Sequence, residues 1–293
     1  MNEITVLSGK GGTGKSSITA ALASIVNNAL FCDNDVDASN LYILFDPKIV
    51  RRDVYYGAWI ASIDNDICNR CGICVMHCQF DAIHSKSDGS FYINELQCEG
   101  CRLCERVCPV NAITSMQSDK NYWYVGDSRF GTIVYAHLQP GEENSGKLIS
   151  LIRKRAKELA VINNKEWIIN DGPPGVGCSA ISSITGATAT IIVVEPSQSS
   201  LHDAKRLVEL ISKFEIPIFV FINKYDLEEE ISNKIEKYFN SLNIPIVAKI
   251  PYSETMVEAM MNKQNVIEFA PDSEMSKAIY KGWKVVEKEV NSL

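Results

Sequence analysis

The sequence has 293 residues, enough for about two domains at roughly 150 residues each. Its 46% hydrophobic and 22% charged residues are the composition of globular protein, which excludes a disordered or low-complexity chain. Lys and Arg number 29 against 36 Asp and Glu, and the resulting net charge of −7, without a basic run, argues against nucleic acid as a partner.

Residues 4–7 read as a short apolar strand, and Ile18, Leu22 and Ile25 follow at helical spacing. Between them Gly9, Lys10, Gly11, Gly12, Thr13, Gly14, Lys15 and Ser16 spell GKGGTGKS, a match to GxxxxGK[ST] in the strand–loop–helix context the motif requires, with Ser17 next. Glycines let backbone N–H groups wrap phosphates, and the helix opening near Lys15 turns its positive end toward them. Lys15 is expected to reach the β- and γ-phosphates and Ser16 to ligate magnesium. The additional Lys10 makes the loop resemble the deviant Walker A motif of the MinD/ParA superfamily. That resemblance implies a P-loop ATPase with a mostly parallel α/β sheet. It also implies a nucleotide-dependent homodimer in which Lys10 contacts phosphate, often across the interface.

Residues 30–33 read as a second strand. Asp33, Asp35 and Asp37 then stand where the resembled family has its first switch, Asp35 or Asp37 positioning the attacking water and the other lying near magnesium; the sequence does not separate them. Clustered carboxylates beside phosphate are costly unless they face a cation or water.

Ten cysteines in a chain that shows no basic flank with an apolar leader segment read as metal or redox groups before disulfides, in a cytoplasmic protein. Cys68, Cys71, Cys74 and Cys78 have the spacing CxxCxxCxxxC, and Cys98, Cys101, Cys104 and Cys108 repeat it 30 residues on, as Ala112 and Ile113 repeat Ala82 and Ile83. The duplication resembles two-cluster bacterial ferredoxins, and the resemblance implies two 4Fe-4S clusters. Cys68, Cys71, Cys74 and Cys108 would hold one, and Cys98, Cys101, Cys104 and Cys78 the other. Zinc competes for CxxC pairs, but needs two pairs per ion rather than a triple with a remote fourth cysteine. Pro109 follows Cys108, whereas Gln79 follows Cys78, a change expected to loosen one turn without removing a ligand. His77 reads as packing or exposed, and Cys32, closing an apolar strand, as core.

The cysteine block separates the first switch from the next ATPase strand, so it is expected to be an inserted small α+β ferredoxin-like domain over residues 52–120, with residues 53–62 and 122–125 as stem strands. Residues 1–51 and 121–293 would then form a discontinuous ATPase. Residues 141–147, GEENSGK, match GxxxxGK, but Leu148 replaces the magnesium hydroxyl and two glutamates stand where phosphate would lie. The match is a poor phosphate loop, although a similar segment occurs in ferredoxin-containing members of the resembled family.

A strand over residues 167–170 ends in Asp171 and GPPG, which resembles the Walker B and second-switch segment and implies that Asp171 binds magnesium through water. Cys178 reads as a loop thiol; the resemblance to the nitrogenase iron protein raises a site shared between two chains instead. Strands over 189–194, 216–222 and 246–250 alternate with helices over 201–214 and 227–242, the pattern of a parallel sheet covered on both faces. Asn223 and Asp226 lie in NKYD. The family resemblance assigns Asn223 to the base of ATP, while the string also fits the guanine signature NKxD, and Asp226 with Glu229 fits a helix capping box. The final helix, 275–290, balances lysines with glutamates, so it reads as docked on the core rather than as a membrane anchor.

The expected activity is MgATP hydrolysis coupled to electron transfer through the clusters to an unidentified redox partner. A metal-cluster maturation factor with a client protein, and then a MinD-like positioning protein, are the alternatives.

Overall fold

The long apolar strands of the sequence become the middle of a nine-stranded sheet, and the cysteine-bearing stretch folds as a unit of its own. The structure, a computed structural model, describes residues 1–139 and 145–293. One unit comprises Met1–Arg52, Trp123–Ala136 and Gly146–Leu293; the other comprises Asp53–Tyr122 with the described part of His137–Ser145.

The chain opens with β1 (Asn2–Ser8), α1 (Lys15–Ala23), β2 (Ala29–Asp33), α2 (Leu41–Phe45) and β3 (Lys48–Tyr55). Next come β4 (Trp59–Ile63), α3 (Ile73–His77), β5 (Ile83–Ser85), β6 (Phe91–Ile93), α4 (Leu103–Val107) and β7 (Ile113–Gln117). Strands β8 (Asn121–Ser128) and β9 (Gly131–His137) lead back to α5 (Ser145–Ile162), β10 (Trp167–Pro174), α6 (Cys178–Ile184) and β11 (Ala189–Val194). The remainder is α7 (Gln198–Ser212), β12 (Ile218–Asn223), α8 (Glu229–Ser241), β13 (Ile246–Ile250), α9 (Thr255–Met261), α10 (Val266–Phe269) and α11 (Glu274–Val290).

In the first unit the sheet order is β13-β12-β11-β1-β10-β2-β9-β8-β3, with parallel pairing from β13 through to β9. Strand alternation sends successive side chains to opposite faces. Ile191 and Val193 therefore join Ile18, Leu22, Ile279 and Trp283 in one core. Ile192 and Val194 join Leu207, Ile211, Ile235 and Phe239 in the other. Helix α11 is thus docked, with Trp283 edge-on to Trp167 at 5.1 Å between ring centroids. Among the described residues no helix is long and apolar enough to cross a membrane.

The second unit is built on two antiparallel pairs, β4 with β7 and β5 with β6. Its core is Ala61, Cys74, Ile83 and Ile113, packed with Ile63, Phe91, Ile93 and four more cysteines.

Several boundaries differ from the sequence reading. Residues 53–62 are not one strand: the chain turns at Gly57, whose N–H donates to Ser118 O at 2.8 Å, so the first part ends β3 and the rest is β4. Helix α7 starts at Gln198 because the Ser197 side chain accepts from Ser200 N. Strand β12 starts after Pro217, which has no N–H to give a ladder. Asp226 does not cap α8; Glu228 occupies that position, and Asp226 Oδ1 accepts from Tyr252 N at 2.7 Å. Of the GEENSGK string, residues 141–144 lie outside the described residues, and Ser145, Gly146 and Lys147 begin α5.

Candidate functional site

Strands β1 and β10 lie side by side, so the loops leaving their C-terminal ends converge. The loop after β1 and the start of α1 line a cavity of about 470 Å³, to which Gly11, Gly12, Thr13, Gly14, Lys15, Ser16 and Ser17 contribute. Gly14 has φ 90°, and a Cβ there would meet Asn223 Nδ2 at 2.3 Å. Only glycine permits both the left-handed backbone and that approach. Gly9 is constrained by space instead, since a Cβ would lie 2.4 Å from Asp203 Cβ on α7.

Lys15 is buried, with Nζ 3.0 Å from Asp171 Oδ1 and 3.7 Å from Asp35 Oδ2. Burial works against its ammonium, but Asp171, Asp35 and Asp33 outweigh that and hold its pKa above the ordinary lysine value. Asp171 is wholly buried inside β10, which runs on to Pro174 instead of closing at residue 170 as the sequence suggested; its Oδ1 also accepts from Thr19 Oγ1 at 2.8 Å, while Oδ2 has no hydrogen-bond partner. An orphaned carboxylate oxygen is costly in an apolar interior and suits a hydrated cation. The residues therefore fit magnesium held from Ser16 and, through water, Asp171.

The three first-switch carboxylates have different places. Asp33 is fully buried and shapes its own loop: Oδ1 accepts from Asp35 N at 3.1 Å, and Oδ2 from Ser39 Oγ at 2.8 Å and Leu41 N at 3.1 Å. Burial, and then the neighbouring Asp171 charge, push its pKa up to about 7. Asp35 lines the cavity, while Asp37 is exposed and is not among the cavity-lining residues.

Asn223, at the end of β12, donates from Nδ2 to Thr13 O at 2.8 Å, bracing the phosphate loop. Asp226, exposed, accepts from the Tyr252 amide through Oδ1. Lys10 Nζ lies 2.7 Å from Glu195 Oε1, and Lys224 Nζ lies 3.0 Å from Glu195 Oε2 and donates to Gly12 O at 3.1 Å. Sequence reasoning missed Glu195, Lys224 and the cavity-lining Met260. Glu195 had a signal: it is the first polar residue after the wholly buried β11, at the strand end where open α/β sheets place ligands.

In the second unit Cys68, Cys71, Cys74 and Cys108 line one cavity, and Cys78, Cys98, Cys101 and Cys104 line another. The sequence repeat is also a backbone repeat. Arg70 and Gly100 (φ 62° and 63°), Gly72 and Arg102 (74° and 61°), and Asp81 and Asn111 (49° and 54°) are left-handed pairs at the same offset. Cys78 and Cys108 have φ −76° and −72°, ψ 112° and 113°, so both halves take the same backbone conformation at the fourth cysteine, with Gln79 after it in one and Pro109 in the other. Ala112 N donates to Cys108 Sγ at 3.2 Å. Burial raises the Cys104 thiol to about 11 and the Cys74 thiol above its usual value. The residues fit two cubes, four sulfur donors to each cavity. Cys32 is buried, and Cys178 is exposed at the start of α6. His77 is exposed, with Nδ1 2.9 Å from Ile73 O.

A glycine-rich loop between a parallel strand and a helix, with a buried lysine against a carboxylate of the adjacent strand, defines a P-loop nucleotide-binding domain. The chain belongs to the CobQ/CobB/MinD/ParA nucleotide-binding domain family, whose model matches residues 4–266, and it is a P-loop ATPase of the MinD/ParA type. It is 35% identical over 272 residues to Uncharacterized protein MJ0578 of Methanocaldococcus jannaschii, covering 89% of this chain and 88% of that one. It is 40% identical over 80 residues to the pyruvate synthase subunit PorD of the same organism, which is 27% of this chain and 93% of that subunit. A cytosolic Fe-S cluster assembly factor from Caenorhabditis briggsae is 21% identical over 300 residues, covering 94% of this chain and 77% of the factor. The septum site-determining protein MinD of Pyrococcus horikoshii, complexed with Mg-ADP, shares the fold with a TM-score of 0.59 at 19% identity, covering 99% and 98% of the two chains.

Proposed function

We propose that this protein is an iron–sulfur ATPase that couples MgATP binding and hydrolysis to electron delivery from two 4Fe-4S clusters to a partner protein. The observation that carries the reading is the division of eight cysteines into two cavities, each taking three thiols from one run and the fourth from the other. A CxxCxxC triple joined by a remote fourth cysteine at each cavity suits a cube better than zinc, which takes two CxxC pairs per ion. The 80-residue similarity to a pyruvate synthase subunit supports a redox assignment. In this reading Cys68, Cys71, Cys74 and Cys108 hold one cluster and Cys78, Cys98, Cys101 and Cys104 the other, and the bound clusters supply one-electron chemistry. The unit that carries them is a ferredoxin-type insertion in the ATPase chain.

On the nucleotide side, Gly11, Gly12 and Gly14 free the loop amides to receive phosphate oxygens, and Lys15 moves its charge from Asp171 and Asp35 to the β- and γ-phosphates. Ser16 and Asp171 orient magnesium, and Asp35, on the cavity wall, orients the attacking water. Two chains face each other across two nucleotides, with Lys10 of one reaching the phosphate of the other. ATP is the nucleotide in this reading, as the MinD/ParA family membership supports, and a guanine edge would have to share Asp226 with the Tyr252 amide, which already donates to its Oδ1.

The similarity to an Fe-S cluster assembly factor along 94% of the chain favours a second reading, in which the clusters are cargo for a client. Anaerobically prepared protein should contain about eight irons per chain, from two cubes of four. The redox reading expects the iron to stay through many ATP turnovers in the presence of a chelator. Iron lost in step with hydrolysis would move the assignment to maturation, and a zinc-only preparation after reconstitution would reject both.

A further inference from the structure

The phosphate loop carries two lysines, and they face different ways. Lys15 lines the cavity and is buried; Lys10 is absent from the lining. Lys10 Nζ lies 2.7 Å from Glu195 Oε1 and 3.3 Å from Ser199 Oγ, and its side chain is 31% exposed. Glu195 is held independently of Lys10. Its N–H donates to Ser200 Oγ at 3.2 Å, and its Oε2 pairs at 3.0 Å with Lys224, which is in turn tied to Gly12 O at 3.1 Å. Burial works to raise the Glu195 carboxyl, but hydrogen bonds from Lys10 and Lys224 outweigh it and keep the group ionised.

We propose that Glu195 is a positioning residue that parks Lys10 on its own chain, turned away from the nucleotide cavity, and that Lys10 becomes available to a second chain only when this contact opens. The inference rests on the dimer reading given above. The contact is built to open. It is partly exposed to water, so it is a weak pair. Lys224 stays on Glu195 when Lys10 leaves, so the carboxylate keeps a counter-charge throughout. Lys224 cannot make the same excursion without releasing Gly12 O. The phosphates of a second chain's nucleotide would offer Lys10 a more highly charged acceptor than a carboxylate already shared with another lysine.

The test compares the full-length wild type with Glu195→Gln. In the nucleotide-free protein, acylation of the Lys10 amine, measured by mass spectrometry against the exposed Lys213, should run about two- to five-fold faster in Glu195→Gln, the ratio expected for loss of a partly exposed ion pair. With magnesium and a non-hydrolysable ATP analogue, the dimerisation midpoint should fall to a protein concentration about two- to five-fold lower. In a Lys10→Ala background the Glu195 substitution should make no difference. Glu195→Asp, which keeps the charge but draws it back, should lie between. Unchanged Lys10 reactivity in both Glu195 variants would overturn the parking contact. Unchanged or weaker dimerisation of Glu195→Gln would overturn its restraining role and make Glu195 a group that aims Lys10 at its partner. If no form dimerised, including the wild type, the dimer reading itself would fall and the proposal with it, and the acylation rates would still report whether Glu195 holds Lys10.

Discussion

Replacing Arg153 by methionine probes a buried polar seam that joins the phosphate-loop strand to the helix after the second-switch segment. Arg153, on α5, is 5% exposed and Glu3, on β1, 3% exposed. Arg153 Nε lies 2.8 Å and Nη2 2.7 Å from Glu3 Oε1, and Nη1 donates to Ser182 O and Thr185 O at the end of α6. Asn170, beside Asp171, donates to Glu3 Oε1 at 2.8 Å, and Lys157 Nζ lies 2.7 Å from Oε2. Arg153→Met removes the buried counter-charge of Glu3, leaving it Asn170 and the half-exposed Lys157, and deprives two carbonyls of a donor. Breaking a buried pair from one side costs about 3–5 kcal/mol. Lys157 remains on Glu3, so the expected loss is about 3 kcal/mol, a large share of the roughly 5–15 kcal/mol that keeps a domain folded. Urea unfolding followed by tryptophan fluorescence reads this unit through the buried Trp167–Trp283 pair. Glu3→Met/Arg153→Met strands neither charge, so it should cost clearly less than the two single substitutions added together. An Arg153→Met protein within about 1 kcal/mol of the wild type, or strictly additive costs, would refute the claim that the seam acts as a paired unit.

Lys15→Ala should abolish nucleotide binding by calorimetry, whereas Lys10→Ala should bind near normally and hydrolyse poorly; hydrolysis by Lys10→Ala at the wild-type rate would reject a role for Lys10 across the dimer. Competition titration should favour ATP over GTP, and a tenfold preference for GTP, about 1.4 kcal/mol, would make Asp226 a guanine reader after all. An ATP analogue with magnesium should shift the cluster potential, because β8 and β9, which border the cysteine unit in the chain, stack through Tyr124 and Tyr135 on Tyr42 of α2, just after the first-switch carboxylates. Linkage makes a tenfold affinity ratio equal to about 59 mV for a one-electron couple, and titrations that overlay with nucleotide bound would reduce the cysteine unit to a passive tether.

What the sequence determined by itself was local. The GKGGTGKS loop between an apolar strand and a helix, the apolar strand that leads into Asp171, the repeated cysteine spacing and the helix–strand alternation after residue 189 depend on side-chain periodicity and on residue types that nearby backbone demands. Such signals survive without knowledge of the rest of the chain. Where partners are distant in sequence, tertiary structure decided. Phe31 pairs with Ile133, so the strands bordering the cysteine unit join the ATPase sheet beside β2 rather than forming only a stem. The turn at Gly57 depends on Ser118 O, which no local pattern around residues 53–62 reveals. Asp226 has a local partner in Glu229 by spacing, yet its carboxylate accepts from the exposed Tyr252 amide, 26 positions away, a donor that the fold and not the local string brings near. The same holds for charge. Three aspartates two residues apart look equivalent in a string, but burial and contacts set Asp33 into its loop, Asp35 on the cavity wall and Asp37 in solvent. Lys10 and Glu195 stand 185 positions apart, and only the adjacency of β1 and β11 brings one to the other, since electrostatic partners are chosen by distance in space and not along the chain.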